Sequence, residues 1–210
     1  MNPKIAQAQD WQALLAGQPE LRLLTTDELD AARITELPRE AQLFHRGETP
    51  RKIHCLLSGE IHLVRYSRRG AAMVLARSRD GFIAEASLDA PRYHCDALVV
   101  VDAVVLSLPL AAYRGALDRN TDFRRARFAA QAREIRRLRA QGERLALPTA
   151  EERLTHYIET EGSDGSIELD RPLKALAVEL NLTHEALYRT LARMAQAGRI
   201  ERTAKVLRLR

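Results

Sequence analysis

Glycines recur at a nearly constant spacing in the first half of the chain, at positions 47, 59, 70 and 81. The segments between these turn signals are short and rich in branched side chains, as in Ile53–Leu57, Ile61–Tyr66 and Ala72–Ala76. Short strands separated by turns at such intervals are typical of an antiparallel sandwich or barrel. We therefore predict this architecture from about residue 41, closed by the runs 98–101 and 104–108.

The chain on either side of this segment has helical periodicity. Leucines between positions 11 and 37 predict short helices, one of them starting at Thr26. After Pro109 a single long helix is predicted from about Leu110 to Leu145, which contains no proline. At 1.5 Å per residue a helix of this length spans roughly 45 Å and needs a partner.

Four apolar residues of the long helix are candidates for a dimer seam. Phe128 and Ile135 are seven residues apart, as are Leu138 and Leu145, and seven-residue steps are typical of helix pairs. Packing of the helix against its own β domain is the alternative.

Positive charge is concentrated towards the end of the chain. The formal net charge is −1 before Arg114 and +6 from Arg114 onward. Residues 172–210 carry eight basic and three acidic side chains. This asymmetry indicates a polyanionic partner for the C-terminal part.

A helix-turn-helix is predicted between Leu173 and Leu191. The first helix has an apolar face and a small residue, Ala177, where the helices would cross. Asn181 suits the left-handed turn that follows, and Thr183 suits the N-cap of the second helix. An ordinary helical hairpin is the alternative interpretation.

The second helix, about residues 183–195, would present polar side chains that suit the DNA major groove. Arginine can donate two hydrogen bonds to guanine, and glutamate can accept one from cytosine. The segment after Gly198 is typical of a two-stranded wing with basic residues for phosphates. The predicted DNA-binding residues are Thr183, His184, Glu185, Tyr188, Arg189, Arg193, Arg199, Arg202 and Lys205.

The order of a strand-rich domain, a long helix and a winged helix-turn-helix resembles the Crp/Fnr superfamily of bacterial transcription regulators. The resemblance rests on the glycine turns around 47, 59, 70 and 81, on residues 180–189 and on Ala197–Ile200. It implies an α+β fold: a cyclic-nucleotide-binding-like jelly-roll sensor domain (1–109), a dimerisation helix and hinge (110–147) and a winged helix-turn-helix (148–210). It also implies a homodimer that reads palindromic double-stranded DNA, with RNA polymerase as a further partner. Glu185 and Arg189 fall on the family's base-contacting positions.

The effector pocket departs from the family's pattern. Glu85 is kept, but its neighbour is Ala84, and His94 or Cys95 stands where members that bind cyclic AMP place an arginine. Arg92 is the nearest replacement cation. We therefore expect a regulator that is not gated by cyclic AMP and whose effector is unknown. The possible effector pocket comprises Glu85, Arg92, His94 and Cys95.

Two other functions stay open. One is redox or gas sensing by the same fold, through haem ligation or a low-pKa thiol at Cys95; no cofactor is otherwise expected. The other is a cupin-type metalloenzyme, although His45, His54 and His62 lack the spacing of metal ligands.

The compartment is predicted from two absences. The longest apolar run, residues 97–109, is interrupted by Asp102 and is too short to span a bilayer, and the first ten residues lack a secretion signal. We expect a cytoplasmic protein with no membrane partner, in which Cys55 and Cys95 are free thiols.

Overall fold

The computed structural model describes residues 17–70, 72–169 and 172–210. A six-stranded antiparallel sheet occupies the first part of the chain. Its strands are β1 (Arg33–Leu37), β2 (Gln42–Phe44), β3 (Lys52–Tyr66), β4 (Ala72–Ser78), β5 (Gly81–Ile83) and β6 (Asp96–Pro109).

The long strands β3 and β6 form the centre of this sheet. They pair with each other from Lys52 opposite Pro109 to Val64 opposite Asp96. Strands β1 and β2 pair with β6, while β4 and β5 pair with β3. Two clusters of buried apolar side chains line this roll, one around Ile53 and Leu106 and the other around Leu56 and Val105. The predicted antiparallel β domain is confirmed.

Gly59 does not form the turn that its spacing predicted. The chain runs through it as one strand, and likewise the predicted runs 98–101 and 104–108 belong to the single strand β6. The φ angle of Gly59 is +95°, and a Cβ there would lie 2.4 Å from the carbonyl oxygen of Asp102. Because it has no Cβ and tolerates a positive φ, this glycine permits the irregular pairing of β3 here and the close approach of β6.

The region before the sheet is only partly helical. A 3-10 turn covers Leu21–Leu23, and helix α1 spans Thr26–Asp30. Thr25 is the N-cap, and it forms a capping box with Glu28. Helix prediction is wrong for residues 33–37, which form β1 because five consecutive residues pair with β6. The predicted helical residues 11–16 lie outside the described residues.

The predicted long helix is interrupted once. Helix α2 spans Leu110–Arg119 and helix α3 spans Thr121–Ala146. Asn120 adopts an extended conformation between them, and its side-chain oxygen accepts a hydrogen bond from the Phe123 backbone N–H. The sequence contains no proline here, so the break arises from this asparagine cap and not from an obligatory helix breaker.

The C-terminal part contains three helices and a small sheet. Helices α4 (Ala150–Glu161), α5 (Leu173–Glu179) and α6 (His184–Gln196) contribute to one apolar core, which includes Leu187 and Leu191. The antiparallel strands β7 (Ser166–Glu168), β8 (Ile200–Arg202) and β9 (Val206–Leu209) are arranged in the order β7-β9-β8. The two-stranded wing was predicted; the third strand, β7, was not.

The chain divides into two compact units between Phe128 and Ala129. The predicted boundaries at residues 109 and 147 stay predictions. Within the described ranges, no helix has the length and apolar character needed to cross a bilayer.

Candidate nucleic-acid interface

Helices α5 and α6 form a helix-turn-helix with the local features predicted from the sequence. Asn181 adopts the left-handed conformation, with φ of +53°. The Thr183 hydroxyl caps α6 by accepting a hydrogen bond from the Ala186 N–H at 3.1 Å. Ala177 is 1% exposed, so the two helices approach closely at this small residue. The turn is therefore fixed at both of its ends.

Arg153 of α4 supports the same turn. Its guanidinium donates to the carbonyl oxygens of Leu180 at 3.5 Å and Asn181 at 3.3 Å, and its Nε donates to the carbonyl of Leu147 at 2.9 Å. Sequence reasoning did not identify this role, because carbonyl partners far away in sequence leave no periodic signal.

Helix α6 buries one face and exposes the opposite one. Leu187, Thr190, Leu191 and Met194 are each no more than 4% exposed. The nine predicted DNA-binding residues are all exposed, on α6, at its N-cap, or in the wing region.

Glu185 and Arg189 stand on the exposed face, one helical turn apart. The pKa of Glu185 lies below its usual value because its own backbone N–H and the Thr183 hydroxyl hydrogen-bond to the carboxylate, and the nearby Arg189 guanidinium lowers it further. The carboxylate is therefore ionised at neutral pH. It is an acceptor next to a five-donor guanidinium, a pair that suits cytosine and guanine edges.

Arg193 and Arg199 share the carboxylate of Glu151. Arg199 Nη1 pairs with Glu151 Oε1, and Arg193 Nη2 lies 3.6 Å from Glu151 Oε2. Both arginine side chains remain more than half exposed. Glu151 was not singled out from the sequence, in which it lies more than 40 residues from either partner.

The wing places further basic side chains beside α6. Strands β8 and β9 pair from Ile200 opposite Leu209 to Arg202 opposite Leu207. The Thr203 hydroxyl accepts a hydrogen bond from the Val206 N–H at 3.1 Å, which closes the tip that carries Lys205. The arrangement offers exposed cations on a braced hairpin, as phosphate contacts require.

The four candidate dimerisation residues are exposed along α3. The exposed fractions are 60% for Phe128, 51% for Ile135, 49% for Leu138 and 45% for Leu145. They account for four of the eleven large exposed apolar residues in the described ranges. A row of this kind on one helix marks an interaction surface.

Glu85 of the candidate effector pocket is engaged by other side chains. Its carboxylate accepts a hydrogen bond from the Tyr113 hydroxyl at 3.1 Å and pairs with Arg127 Nη2 at 2.6 Å. Arg127 also pairs with Glu20 and lies over the Phe82 ring, 4.3 Å from its centroid. The neighbouring Ala84 has φ of +63°, a conformation that normally favours glycine.

The other three pocket candidates have separate partners. Arg92 is exposed and donates to the carbonyl of Gly47 at 2.8 Å. His94 Nδ1 lies 3.0 Å from the Ser87 hydroxyl. Cys95 is fully buried. The structure therefore does not join these residues and Glu85 into one hydrogen-bonded cluster.

The surroundings of Cys95 do not favour a low-pKa thiol. Burial raises the pKa of Cys95, and the nearby Asp96 carboxylate raises it further, while Arg65 opposes this. Burial raises the pKa of Cys55 to about 12. Both thiols are free, as predicted, and both are buried.

The three histidines considered as metal ligands each have a different environment. His54 Nδ1 lies 2.8 Å from the Ser107 hydroxyl, and its ring stacks on Phe44. His62 pairs with Glu60 at 2.7 Å, and His45 lies 3.8 Å from Asp96. Nothing in this arrangement brings the three histidines together.

Comparisons with known proteins identify the fold. Residues 34–120 match the sequence profile of the family described as cyclic nucleotide-binding domain. No curated protein matches the chain.

Similar solved structures cover nearly the whole chain. The Thermus thermophilus catabolite activator protein is 21% identical, covering 94% of this chain and 93% of that one, with a TM-score of 0.50. DNR from Pseudomonas aeruginosa is 23% identical, with coverage of 95% and 93% and a TM-score of 0.52. FixK2 from Bradyrhizobium japonicum is 19% identical, with coverage of 85% and 92% and a TM-score of 0.58. The chain therefore has the same fold as these solved structures, and its residues 34–120 match the cyclic nucleotide-binding domain family.

Proposed function

We propose that this protein is a sequence-specific transcription regulator that binds double-stranded DNA as a homodimer and reads a palindromic site. The observation that carries the proposal is the exposed pair Glu185 and Arg189 on a capped helix whose opposite face is buried. A helix held in this way can enter the major groove without unfolding its own domain.

Electrostatics supports the same function. The C-terminal segment 172–210 has a formal net charge of +5, and seven of its eight basic residues lie on α6 or in the wing region. Lysine and arginine contacts to phosphates supply most of the affinity for DNA of any sequence, while contacts to base edges supply specificity. Both classes of side chain are present here.

The exposed apolar row of α3 supports a dimer. Four large apolar side chains on a helix with ten arginines in and around it would otherwise face water. A second copy of the same helix covers them in a symmetric contact and places two recognition helices on the two half-sites. We propose RNA polymerase as the further partner that such a regulator contacts.

We propose that cyclic AMP does not gate the protein. No arginine stands at the position that meets the phosphate in members that bind cyclic AMP, and the Glu85 carboxylate is held by Tyr113 and Arg127. Cyclic AMP should leave both the melting temperature and the DNA affinity unchanged. A clear rise in melting temperature would contradict this part of the proposal.

The DNA-binding proposal is tested by selecting bound duplexes from a genomic library and measuring their affinities. Arg189→Ala should lose about 1–3 kcal/mol on the selected site and relax its specificity, whereas Arg199→Ala should weaken all sequences alike and reduce the salt slope by about 1. Identical behaviour of the two variants would contradict the recognition-helix assignment. Failure of the unmodified protein to bind any duplex at low ionic strength would contradict the function.

The dimer is tested separately. Ile135→Glu places a charge in the apolar row and should halve the mass measured by light scattering. Arg136→Glu is the matched control, because it introduces the same side chain at the next residue of the helix. An unchanged mass for Ile135→Glu would exclude α3 as the interface.

A further inference from the structure

Tyr188 lies between two other residues of the proposed DNA-binding surface. The His184 ring, one helical turn earlier, meets the Tyr188 ring edge to face, with 4.5 Å between the ring centroids. On β8, the guanidinium carbon of Arg202 lies 5.7 Å from the Tyr188 ring centroid. Tyr188 itself is 43% exposed, so it is not part of the core.

These contacts connect the wing to the recognition helix through an aromatic ring. A guanidinium within about 6 Å of a ring centroid is attracted by the electron-rich face of the ring. Arg202 forms no ion pair within the described ranges, whereas Arg199 pairs with Glu151 and Arg210 pairs with Glu201. The tyrosine ring is therefore a contact through which α6 can restrain the direction of the Arg202 side chain.

We propose that Tyr188 is a positioning residue that couples the wing to the recognition helix, by holding Arg202 against α6 in the orientation that reaches a DNA phosphate. The inference rests on the proposed function for its DNA-binding part. An arginine held in place before binding loses less conformational entropy when it meets the phosphate. The contribution of Arg202 to affinity then depends on the ring at position 188.

The stack itself is tested in the full-length protein without DNA. In NMR spectra, ring current from Tyr188 should displace the side-chain proton resonances of Arg202 upfield. Tyr188→Phe keeps the ring and should keep this displacement, while Tyr188→Leu should abolish it. Arg208, an exposed arginine of β9, is the internal control and should not respond. Absence of the displacement in the unmodified protein would overturn the inference whatever the DNA result.

The coupling is tested by a double-mutant cycle on a duplex selected by the unmodified protein. Tyr188→Leu and Arg202→Ala should each weaken binding, and the double variant should bind ~3-fold better than the product of the two single effects implies. The cycle of Tyr188→Leu with Arg208→Ala should show no such excess. With Tyr188→Phe in place, Arg202→Ala should cost as much affinity as it does in the unmodified protein.

Each outcome of the cycle has a definite meaning. Multiplicative effects in the 188–202 cycle, or equal behaviour of the Leu and Phe variants, would overturn the coupling while leaving the proposed function intact. Absence of binding by the unmodified protein would overturn the proposed function and the DNA-binding part of this inference. Melting curves of all variants confirm that changes in affinity are not due to unfolding.

Discussion

The interior of the first unit and the DNA-binding surface proposed for the second unit use arginine in opposite ways. In the first unit, Arg127 is 4% exposed and is enclosed by Glu20, Glu85 and the Phe82 ring. In the second unit, the arginines of α6 and the wing are exposed. The difference shows that net charge alone does not identify a ligand surface: one arginine stabilises an interior, while others are available to a polyanion.

The energetic consequences of the two arrangements differ as well. Removing one partner of a buried ion pair leaves an uncompensated charge and is strongly destabilising, whereas exposed ion pairs contribute little to stability. Substitutions in the first unit should therefore change the free energy of unfolding, and substitutions on the second unit's surface should change the affinity for DNA.

The largest effect is expected at Arg127. Arg127→Ala should lower the free energy of unfolding by about 3–5 kcal/mol, because it leaves Glu20 and Glu85 without their shared cation. Chemical denaturation measures the change, and Arg125→Ala, which removes an exposed arginine of the same helix, is the control. A loss no greater than that of the control would contradict the contrast between the units.

A smaller effect is expected from pH in the first unit. Burial, and the nearby Lys52 charge, lower the pKa of His54 from 6.5 to about 4. As the pH falls through this window the unfolded chain binds a proton that the folded chain does not, so stability is lost. The loss should total on the order of 3 kcal/mol between pH 6.5 and pH 4.

Substitution of His54 should remove this pH-dependent loss of stability. His54→Gln should flatten the dependence of the free energy of unfolding on pH in the same window, measured by denaturation at a series of pH values. His45→Gln, which replaces an exposed histidine, should leave the slope as it is. An unchanged slope for His54→Gln would show that other groups determine the acid sensitivity.

The smallest effect is expected in the second unit. Glu151→Gln removes the carboxylate that competes with phosphates for Arg193 and Arg199, and should tighten binding to any duplex by ~3-fold at low salt. Filter binding at several salt concentrations measures the change in affinity. Glu159→Gln, which replaces an exposed glutamate of the same helix, is the control. Weaker binding would show instead that Glu151 orients the two arginines towards DNA.

Local sequence signals account for the features that were predicted correctly. Asn181 and Thr183 determine the turn of the helix-turn-helix through conformations and hydrogen bonds that span only a few residues. The regular glycine spacing and the short segments rich in branched residues likewise predicted the β domain. Such features follow from nearby residues, so a single sequence is sufficient to predict them.

Features that depend on distant parts of the chain could not be predicted in this way. The sequence around Gly59 is typical of a turn, and only its contact with β6 shows why a glycine is needed within a strand. The break at Asn120 depends on a side-chain cap, in a segment whose other residues favour a continuous helix. The partners of Glu85 and the carboxylate between Arg193 and Arg199 come from other elements. The exposure of candidate residues was predictable from helical periodicity, but their ion pairs were not.

The third strand of the small sheet determines how this protein can be divided experimentally. Strand β9 lies in the middle, paired with β8 on one side and with β7, about 40 residues upstream, on the other. A fragment that starts at Pro172 retains the whole helix-turn-helix but leaves one edge of β9 unpaired. An unpaired strand edge can pair with another chain and so favours aggregation. Truncations intended to isolate the C-terminal unit should therefore begin upstream of Ser166.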